Sequence, residues 1–233
     1  MNVSVIMATL NSGKFIRQAL DSIAQQSHPV KEVIIADGGS IDQTLEIVGA
    51  YSFTRIVRQM GKGLPDAWNT GVDQCSGELI AFLDSDDYWT VDKIKKQVAV
   101  LDQDSEIDAV IGHVKFFLEP GTDCPRNFRP ELLEGTQEAP MPGALLIRKT
   151  AYFRIGSFNT DHPIACDIDW FARLRDLKIA TATLPDLIIH KRIHNSNLSL
   201  SPEYQAGYRQ ELAHLLFKKR KRQTSDANAS ISS

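Results

Sequence analysis

Short apolar runs alternate along this chain with stretches whose apolar residues recur every three or four positions. Val3, Val5, Ile6 and Met7 read as a buried strand. Phe15, Ile16, Ala19, Leu20, Ile23 and Ala24 then fall on one helical stripe, with Asn11 or Ser12 as the expected N-cap and Pro29 beyond its end. Residues 33–36 form a second apolar run that ends in Asp37-Gly38-Gly39-Ser40. Ser40 or Asp42 can cap a short helix carrying Leu45, Ile47 and Val48. A third strand is expected at 54–58, a glycine-bearing loop at 61–63, a helix over 65–75 and a fourth strand at 79–83. This βαβαβαβ order implies a Rossmann-like parallel sheet with helices on its faces.

The second half is less regular. A helix is expected over 91–101 and a strand over 108–118. Residues 119–142 carry five prolines and read as a long loop or flap. Residues 143–147 look strand-like, and 150–154 suit a short helix closed by Gly156-Ser157-Phe158-Asn159. Trp170, Phe171, Leu174 and Leu177 mark another helix, entered through an acidic segment at 161–169. Two separate strands are expected at 181–184 and 187–190, then a polar, His-rich turn from His190 to Ser196. A helix candidate over 204–221 ends in Lys218-Lys219-Arg220-Lys221-Arg222, and residues 223–233 have the composition of a disordered tail.

Composition narrows the class. Hydrophobic residues make up 42% and charged residues 24%, as in ordinary globular domains. A net charge of −3 gives no global basic field, so nothing points to nucleic acid as a partner. Cys75, Cys124 and Cys166 are far apart and lack metal-type spacing, which suits free thiols in a reducing compartment. The first residues enter a strand without the basic and apolar regions of a signal peptide, and no apolar run reaches membrane-spanning length. A cytoplasmic location is the expectation. The basic run at 218–222 reads most simply as a solvated helix end; contact with anionic lipid at the inner face of a membrane is the other reading.

The chemistry concentrates after the fourth strand, where Asp84, Asp86 and Asp87 follow the apolar run Leu79 to Leu83. A sheet core cannot hold three ionised carboxylates, so they belong at the strand's C-terminal edge, where open α/β sheets bind ligands. Clustered Asp oxygens are hard ligands for Mg²⁺ or Mn²⁺, ions that complete their shell with substrate phosphates. An aspartate at a helix N-terminus would explain one of the three. The loops at 9–12, 37–40 and 61–66 fall at the same edge. Thr9 and Asn11 offer polar groups, Asp37 can accept from a base N–H, Lys62 can face a diphosphate, and Asp84 can accept from ribose hydroxyls while Asp86 takes the ion. Taken alone, Thr9 and Asn11 are equally turn and cap residues, Lys62 is a solvated loop residue and Asn69 an ordinary hydrogen-bonder. Across the cleft, Asp167 or Asp169 can act as general base; the alternative is a helix-start aspartate favoured by the macrodipole. His190 and His194 can ligate metal or bind phosphate. No P-loop, dinucleotide fingerprint or nucleophile elbow is present.

Seven segments, in order, make the chain resemble a family 2 glycosyltransferase with the GT-A fold over about residues 2–200. The opening Val3 to Asn11 is similar to the family's first strand and nucleotide loop. Asp37-Gly38-Gly39-Ser40-Ile41-Asp42-Gln43-Thr44 resembles D-(D/G)-G-S-x-D-x-T, and Gly63 to Gly71 resembles G-x-x-x-A-x-N-x-G. Asp84-Ser85-Asp86 matches D-x-D, and residues 143–158 resemble a segment ending in G-x-F. Cys166 to Leu174 resembles E-D-x-x-x-W-x-R-L, and Arg192-Ile193-His194 with Ser196 and Ser199 resembles R-x-H-x-x-S-x-S. Cys166 stands where Glu is usual, Trp68 where Arg is frequent and Phe171 where Trp is frequent. The resemblance implies base contact by Asp37, ribose contact by Asp84, metal at Asp86 and an inverting general base at Asp167. It implies a metal-assisted hexosyltransferase. Its donor would be a nucleoside-diphosphate sugar, with a UDP-sugar favoured, and its acceptor a glycan or lipid-linked hydroxyl, as in bacterial polysaccharide or glycolipid assembly. Residues 1–205 would form one domain, with a nucleotide-sugar half at 1–103 and an acceptor-side half at 104–205, followed by a basic helix at 206–222. A sugar nucleotidyltransferase would carry a glycine-rich basic loop after the first strand, which 9–13 lacks; a catalytically silent nucleotide-binding protein is the other alternative.

Overall fold

A computed structural model describes residues 1–126, 128–202 and 204–215. The first half runs β1 (Val3–Thr9), α1 (Ile16–Ala24), β2 (Glu32–Asp37), α2 (Thr44–Gly49), β3 (Thr54–Arg58), α3 (Leu64–Asp73) and β4 (Leu79–Phe82). The second runs β5 (Tyr88–Trp89), α4 (Lys93–Gln103), β6 (Ala109–Leu118), β7 (Gln137–Glu138), β8 (Leu146–Arg148), α5 (Lys149–Ile155), α6 (Cys166–Asp176) and β9 (Thr181–Ile193). Helical backbone continues over 204–215. Among the described residues the strands form one sheet in the order β3-β2-β1-β4-β8-β6-β9-β5, with β7 beside β6. The strip β3-β2-β1-β4 is parallel throughout. β8 enters antiparallel between β4 and β6, and β9 returns parallel to β6.

The apolar runs of β1, β2 and β4 are buried on both faces because helices cover both. Alternate residues feed two separate cores. Val3, Val5 and Met7 pack with Ile16 and Leu20 of α1, Val48 of α2, and Ile94 and Val98 of α4. Ile6, Ile34, Ile80 and Phe82 pack on the opposite face with Trp68 and Val72 of α3, Tyr152 of α5 and Trp170 of α6. Gly71 lets α3 approach β1, since a Cβ there would collide with the Ile6 side chain. Gly156 ends α5 at φ 87°, a conformation that favours glycine.

Several local expectations are corrected. Neither Asn11 nor Ser12 caps α1 with its side chain; Phe15 occupies the cap position, and only the Ser12 carbonyl accepts from the helix start. Asp42, not Ser40, meets the start of α2, accepting from Thr44 N. Neither Asp86 nor Asp87 caps α4, which starts at Lys93 after the unexpected strand β5. The strand expected at 143–147 is the shorter β8, preceded by a 3-10 turn at Pro142–Ala144. The two strands expected at 181–184 and 187–190 are one, β9, and the polar turn starts after Ile193. All three cysteines are free, as expected. Among the described residues no helix is long and apolar enough to cross a membrane. The basic run at 218–222 and the tail at 223–233 lie outside the described residues.

Candidate active site

The parallel strip ends in loops that bind one another at its C-terminal edge. Asn11, at φ 51°, donates its backbone N–H to Ser40 Oγ (2.9 Å) and accepts from Ile41 N at Oδ1 (2.9 Å). The Ser12 and Ser85 hydroxyls share a hydrogen bond of 2.7 Å, joining the first loop to the acidic one. Asp37 is buried and accepts from Gly39 N (2.9 Å), Ser40 N (3.0 Å) and Ser40 Oγ (2.5 Å), which fixes the loop around it. Thr9 Oγ1 is buried with no hydrogen-bond partner among the described residues. Lys62 is exposed on the third loop. Asn69 clamps the Gly156-Ser157-Phe158 turn, donating to Phe158 O (2.8 Å) and accepting from Phe158 N (2.9 Å). Trp68, at the position where Arg is frequent, is buried against Phe158 and Phe82.

The carboxylates of Asp84, Asp86 and Asp87 offer oxygens within 4.8 Å of one another, and each is met from β9 or the turn after it. Tyr88 pairs with His190 in the β5–β9 ladder, which brings Lys191 to Asp87. Lys191 Nζ donates to Asp87 Oδ2 (2.9 Å) and Asp84 Oδ2 (3.2 Å). Arg192 N donates to Asp87 Oδ1 (2.8 Å), and the buried Arg192 guanidinium donates to Asp86 O (2.9 Å), Glu119 and Gln18. His194 Nε2 lies 3.0 Å from Asp86 Oδ2, while its Nδ1 meets Ser196 Oγ at 2.8 Å. Asn197 Nδ2 donates to Asp86 Oδ2 as well (3.1 Å).

Electrostatics separate the three. Burial pushes the Asp86 carboxyl up, but the His194 contact and the Lys191 charge outweigh it and the net shift is downward. Asp87, only 1% exposed, is pushed up by burial against the pull of Lys191; the charges of Asp86 and Asp84 add to the rise, which reaches about 7. Burial alone would push Lys191 down, but the three carboxylates hold it well above the ordinary lysine range, so it stays a cation.

The donor chemistry fits one divalent ion. Lys191 already engages Asp84 and Asp87, which leaves Asp86 with His194 as the directed pair. The two groups lie 3.0 Å apart, so both would face an ion held there. A carboxylate with an imidazole suits Mn²⁺ as well as Mg²⁺ suits a carboxylate with phosphate.

Asp167 differs. It sits at the start of α6, half-buried, and its Oδ1 accepts from Ile168 N (2.8 Å). Burial pushes it above the ordinary carboxyl range; the Ile168 bond opposes this, and the Asp84 charge adds to it. Asp169, two residues on, pairs with Arg173 Nε at 2.9 Å. His190 stacks on Tyr88 with rings 4.5 Å apart. Lys191 and Asn197 carry no assignment from the sequence, and Asp87 is read there only as a member of the acidic cluster. The β5–β9 pairing that brings Lys191 to it rests on a two-residue strand, too short to read from periodicity.

A model of glycosyl transferase family 2 matches residues 4–174. The chain is 34% identical over 102 residues to the Escherichia coli UDP-Glc:alpha-D-GlcNAc-diphosphoundecaprenol beta-1,3-glucosyltransferase WfgD, covering 42% of this chain and 40% of that protein. It spans 37% of the length of an uncharacterised Nostoc glycosyltransferase to which it is 31% identical. Its structure resembles Staphylococcus aureus TarS 1–349 in complex with UDP, at TM-score 0.62 and 25% identity, over 83% of this chain and 61% of that one. It also resembles Mycobacterium tuberculosis glucosyl-3-phosphoglycerate synthase in complex with Mn²⁺, UDP and glucosyl-3-phosphoglycerate, at TM-score 0.60 and 26% identity, over 92% and 78%. The sheet order, the matched residues and these neighbours agree: the chain belongs to glycosyl transferase family 2 and has the GT-A fold.

Proposed function

We propose that this chain transfers a sugar from a nucleoside-diphosphate donor, with a UDP-sugar favoured, to a hydroxyl acceptor, inverting the anomeric carbon. The observation that carries the proposal is the pairing of unlike carboxylates: Asp86 on the β4–β5 loop, met by His194 and Asn197 and held low, and Asp167 at the start of α6, raised by burial with only Ile168 N, among the described residues, on its side chain. The roles follow the chemistry of each group. Asp37, stiffened by its own loop, accepts from the base; Thr9 offers the unpartnered hydroxyl; Asn11 builds the loop; Asp84 accepts from the ribose. Asp86 and His194 hold Mn²⁺ or Mg²⁺, which when bound supplies positive charge to the diphosphate leaving group. Lys62, exposed on the loop before α3, would meet the same phosphates. Asp167, with its carboxyl pushed up by burial, takes the proton from the acceptor hydroxyl as that oxygen attacks. Residues 1–103 form the donor half and 104–205 the acceptor half of one unit.

Relatives such as WfgD support a place in polysaccharide or glycolipid assembly; the acceptor in this reading is a glycan or lipid-linked hydroxyl. A lipid-linked acceptor would bring the chain to the cytoplasmic face of a membrane, with the basic run at 218–222 as the contact. Pelleting with anionic vesicles, with and without that run, tests this; equal pelleting rejects it.

Calorimetry with UDP, GDP and dTDP, each with and without Mn²⁺, tests the donor site. Metal-dependent UDP binding, lost in Asp86→Asn, is the expected result. No nucleotide binding under any condition would reject the reading. Binding without turnover of any sugar donor would leave a silent nucleotide-binding protein.

A further inference from the structure

The helix that carries Asp167 has no cap of its own. Ala165 occupies the N-cap position of α6 and has no side-chain acceptor. The first backbone N–H groups of a helix need partners from elsewhere. Here the partner comes from the helical stretch at 204–215, some forty residues downstream and beyond residue 174, where the family match ends. Glu211 Oε2 accepts from Ala165 N (2.8 Å) and Ile164 N (3.2 Å). Tyr204 Oη donates to Ile164 O (2.7 Å), so both polar groups of Ile164 are held by the same stretch. Gly207 lies against Ile164 so closely that a Cβ there would collide with the Ile164 side chain. This clasp ends two residues before Asp167.

The Asp167 carboxylate has little else to orient it. Among the described residues its side chain accepts one hydrogen bond, from the adjacent Ile168 N. Its place is therefore set by where the first turn of α6 sits. Downstream in the same helix, Trp170 Nε1 donates to Gly156 O and Arg173 to Ile155 O, which anchor the later turns; the first turn is held by the packing of buried Cys166 and by the hydrogen bonds of the clasp. The clasp also restores a negative charge beside Cys166, the position where the resembling motif carries Glu. Burial, Asp167 and, more weakly, Glu211 raise that thiol to about 12, so it stays neutral. Tyr204 and Tyr208 also lie within the field of Asp167.

We propose that Glu211 is a positioning residue: it caps the first turn of α6 from outside the family-matched region and so fixes the carboxylate of Asp167 toward the acceptor. The role rests on Asp167 being the general base, and the test separates the two ideas. Glu211→Leu removes the acceptor; Glu211→Gln keeps an oxygen of the same reach. Three readings are taken on the whole chain: amide hydrogen exchange at Ile164 and Ala165, UDP affinity with Mn²⁺, and UDP release from UDP-glucose and UDP-GlcNAc. In Glu211→Leu, exchange at both amides should speed by about tenfold or more. The turnover number should fall by about 10- to 100-fold, the scale of a misplaced catalytic group, with UDP affinity unchanged. Glu211→Gln should stay close to the parent in all three. Unchanged exchange in Glu211→Leu overturns the clasp whether or not the protein turns over a sugar donor. Faster exchange with unchanged turnover, or a parallel loss of UDP affinity and turnover, overturns the positioning role. If exchange speeds in Glu211→Leu but the parent releases UDP from neither donor, the proposed activity falls and the positioning role falls with it, while the clasp stands.

Discussion

The acidic run between β4 and β5 and the one opening α6 use the same side chain in opposite settings. Around Asp84, Asp86 and Asp87 the protein supplies Lys191, His194, Asn197 and the Arg192 backbone, so that each carboxylate meets a donor across a span of about a hundred residues. Around Asp167 it supplies burial and one adjacent N–H. Asp86, met by His194 and within the field of Lys191, is held below the ordinary carboxyl range and is fit to hold positive charge, whereas Asp87 is pushed up by burial in spite of Lys191. A desolvated carboxylate binds a proton more readily and is fit to take one from a hydroxyl. The difference arises from long-range packing, since nothing in the local sequence of Asp86 or Asp167 sets it.

The largest expected effect breaks the comparison on the α6 side. Asp167→Asn keeps the shape and removes the base, so turnover should fall by about 10²–10⁴-fold while UDP affinity holds. The same variant should melt higher at neutral pH. Asp167 has its carboxyl raised in the folded state, so folding favours its protonated form. Below about pH 4, near the unfolded value, the group is protonated in both states and the variant should match the parent. As pH rises through the folded value, the parent carries a desolvated charge that Asn lacks. A melting curve with no pH-dependent gap would mean that Asp167 is not desolvated.

Lys191→Met strikes the other set and should be the largest loss of stability. It leaves Asp87, nearly fully buried, without its cation, a change that costs about 3–5 kcal/mol for buried pairs. Urea unfolding should show the deficit smallest below about pH 7, where Asp87 is protonated in the fold with or without Lys191, and growing above it. A deficit that is flat with pH would place the effect in packing instead. Ser196→Ala is a finer cut. Its hydroxyl holds Nδ1 of His194, and removing such a partner from a metal-ligating histidine lowers metal affinity by about tenfold or more. Mn²⁺ titration in the presence of UDP reads it; unchanged affinity would remove His194 from the ion's shell.

How much of this was legible depends on the range of the interactions. β1, β2, β4 and β6 announce themselves as apolar runs, and the stripe from Phe15 to Ala24 fixes α1 to within a residue. Asp84 and Asp86 stand out as candidate chemistry because carboxylates clustered after a buried strand have few structural uses, whereas Asp167 reads equally as a helix-start aspartate and is singled out by the family resemblance. The strand β9 was not readable as one piece, since Pro185 signals a break. It passes because the β6 ladder jumps from Ile111–Thr183 to His113–Leu187, so no pairing falls on Pro185. The β5–β9 pairing that delivers Lys191 was hidden for the opposite reason: two residues carry no period. Asn11 and Ser12 misled as caps because their side chains serve neighbouring loops, Ile41 and Ser85.

The smallest expected effect is the sharpest test of which aspartate on α6 matters. Asp169 lies one residue beyond Ile168 in the same acidic turn, and from sequence either it or Asp167 can be the base. In the structure Asp169 faces Arg173 one turn along in an i,i+4 pair, with both side chains partly exposed. Such a pair contributes about 0.3–0.5 kcal/mol. Arg173 keeps its hydrogen bonds to Ile155 O, Gly156 O and Ser157 O without it, so the guanidinium stays in place when the carboxylate is removed. Asp169→Asn should therefore shift chemical unfolding by no more than about 0.5 kcal/mol and turnover by less than about threefold. A loss of turnover as deep as that of Asp167→Asn would move the base two residues along the helix, and the contrast between a braced and a bare carboxylate would no longer explain which one takes the proton.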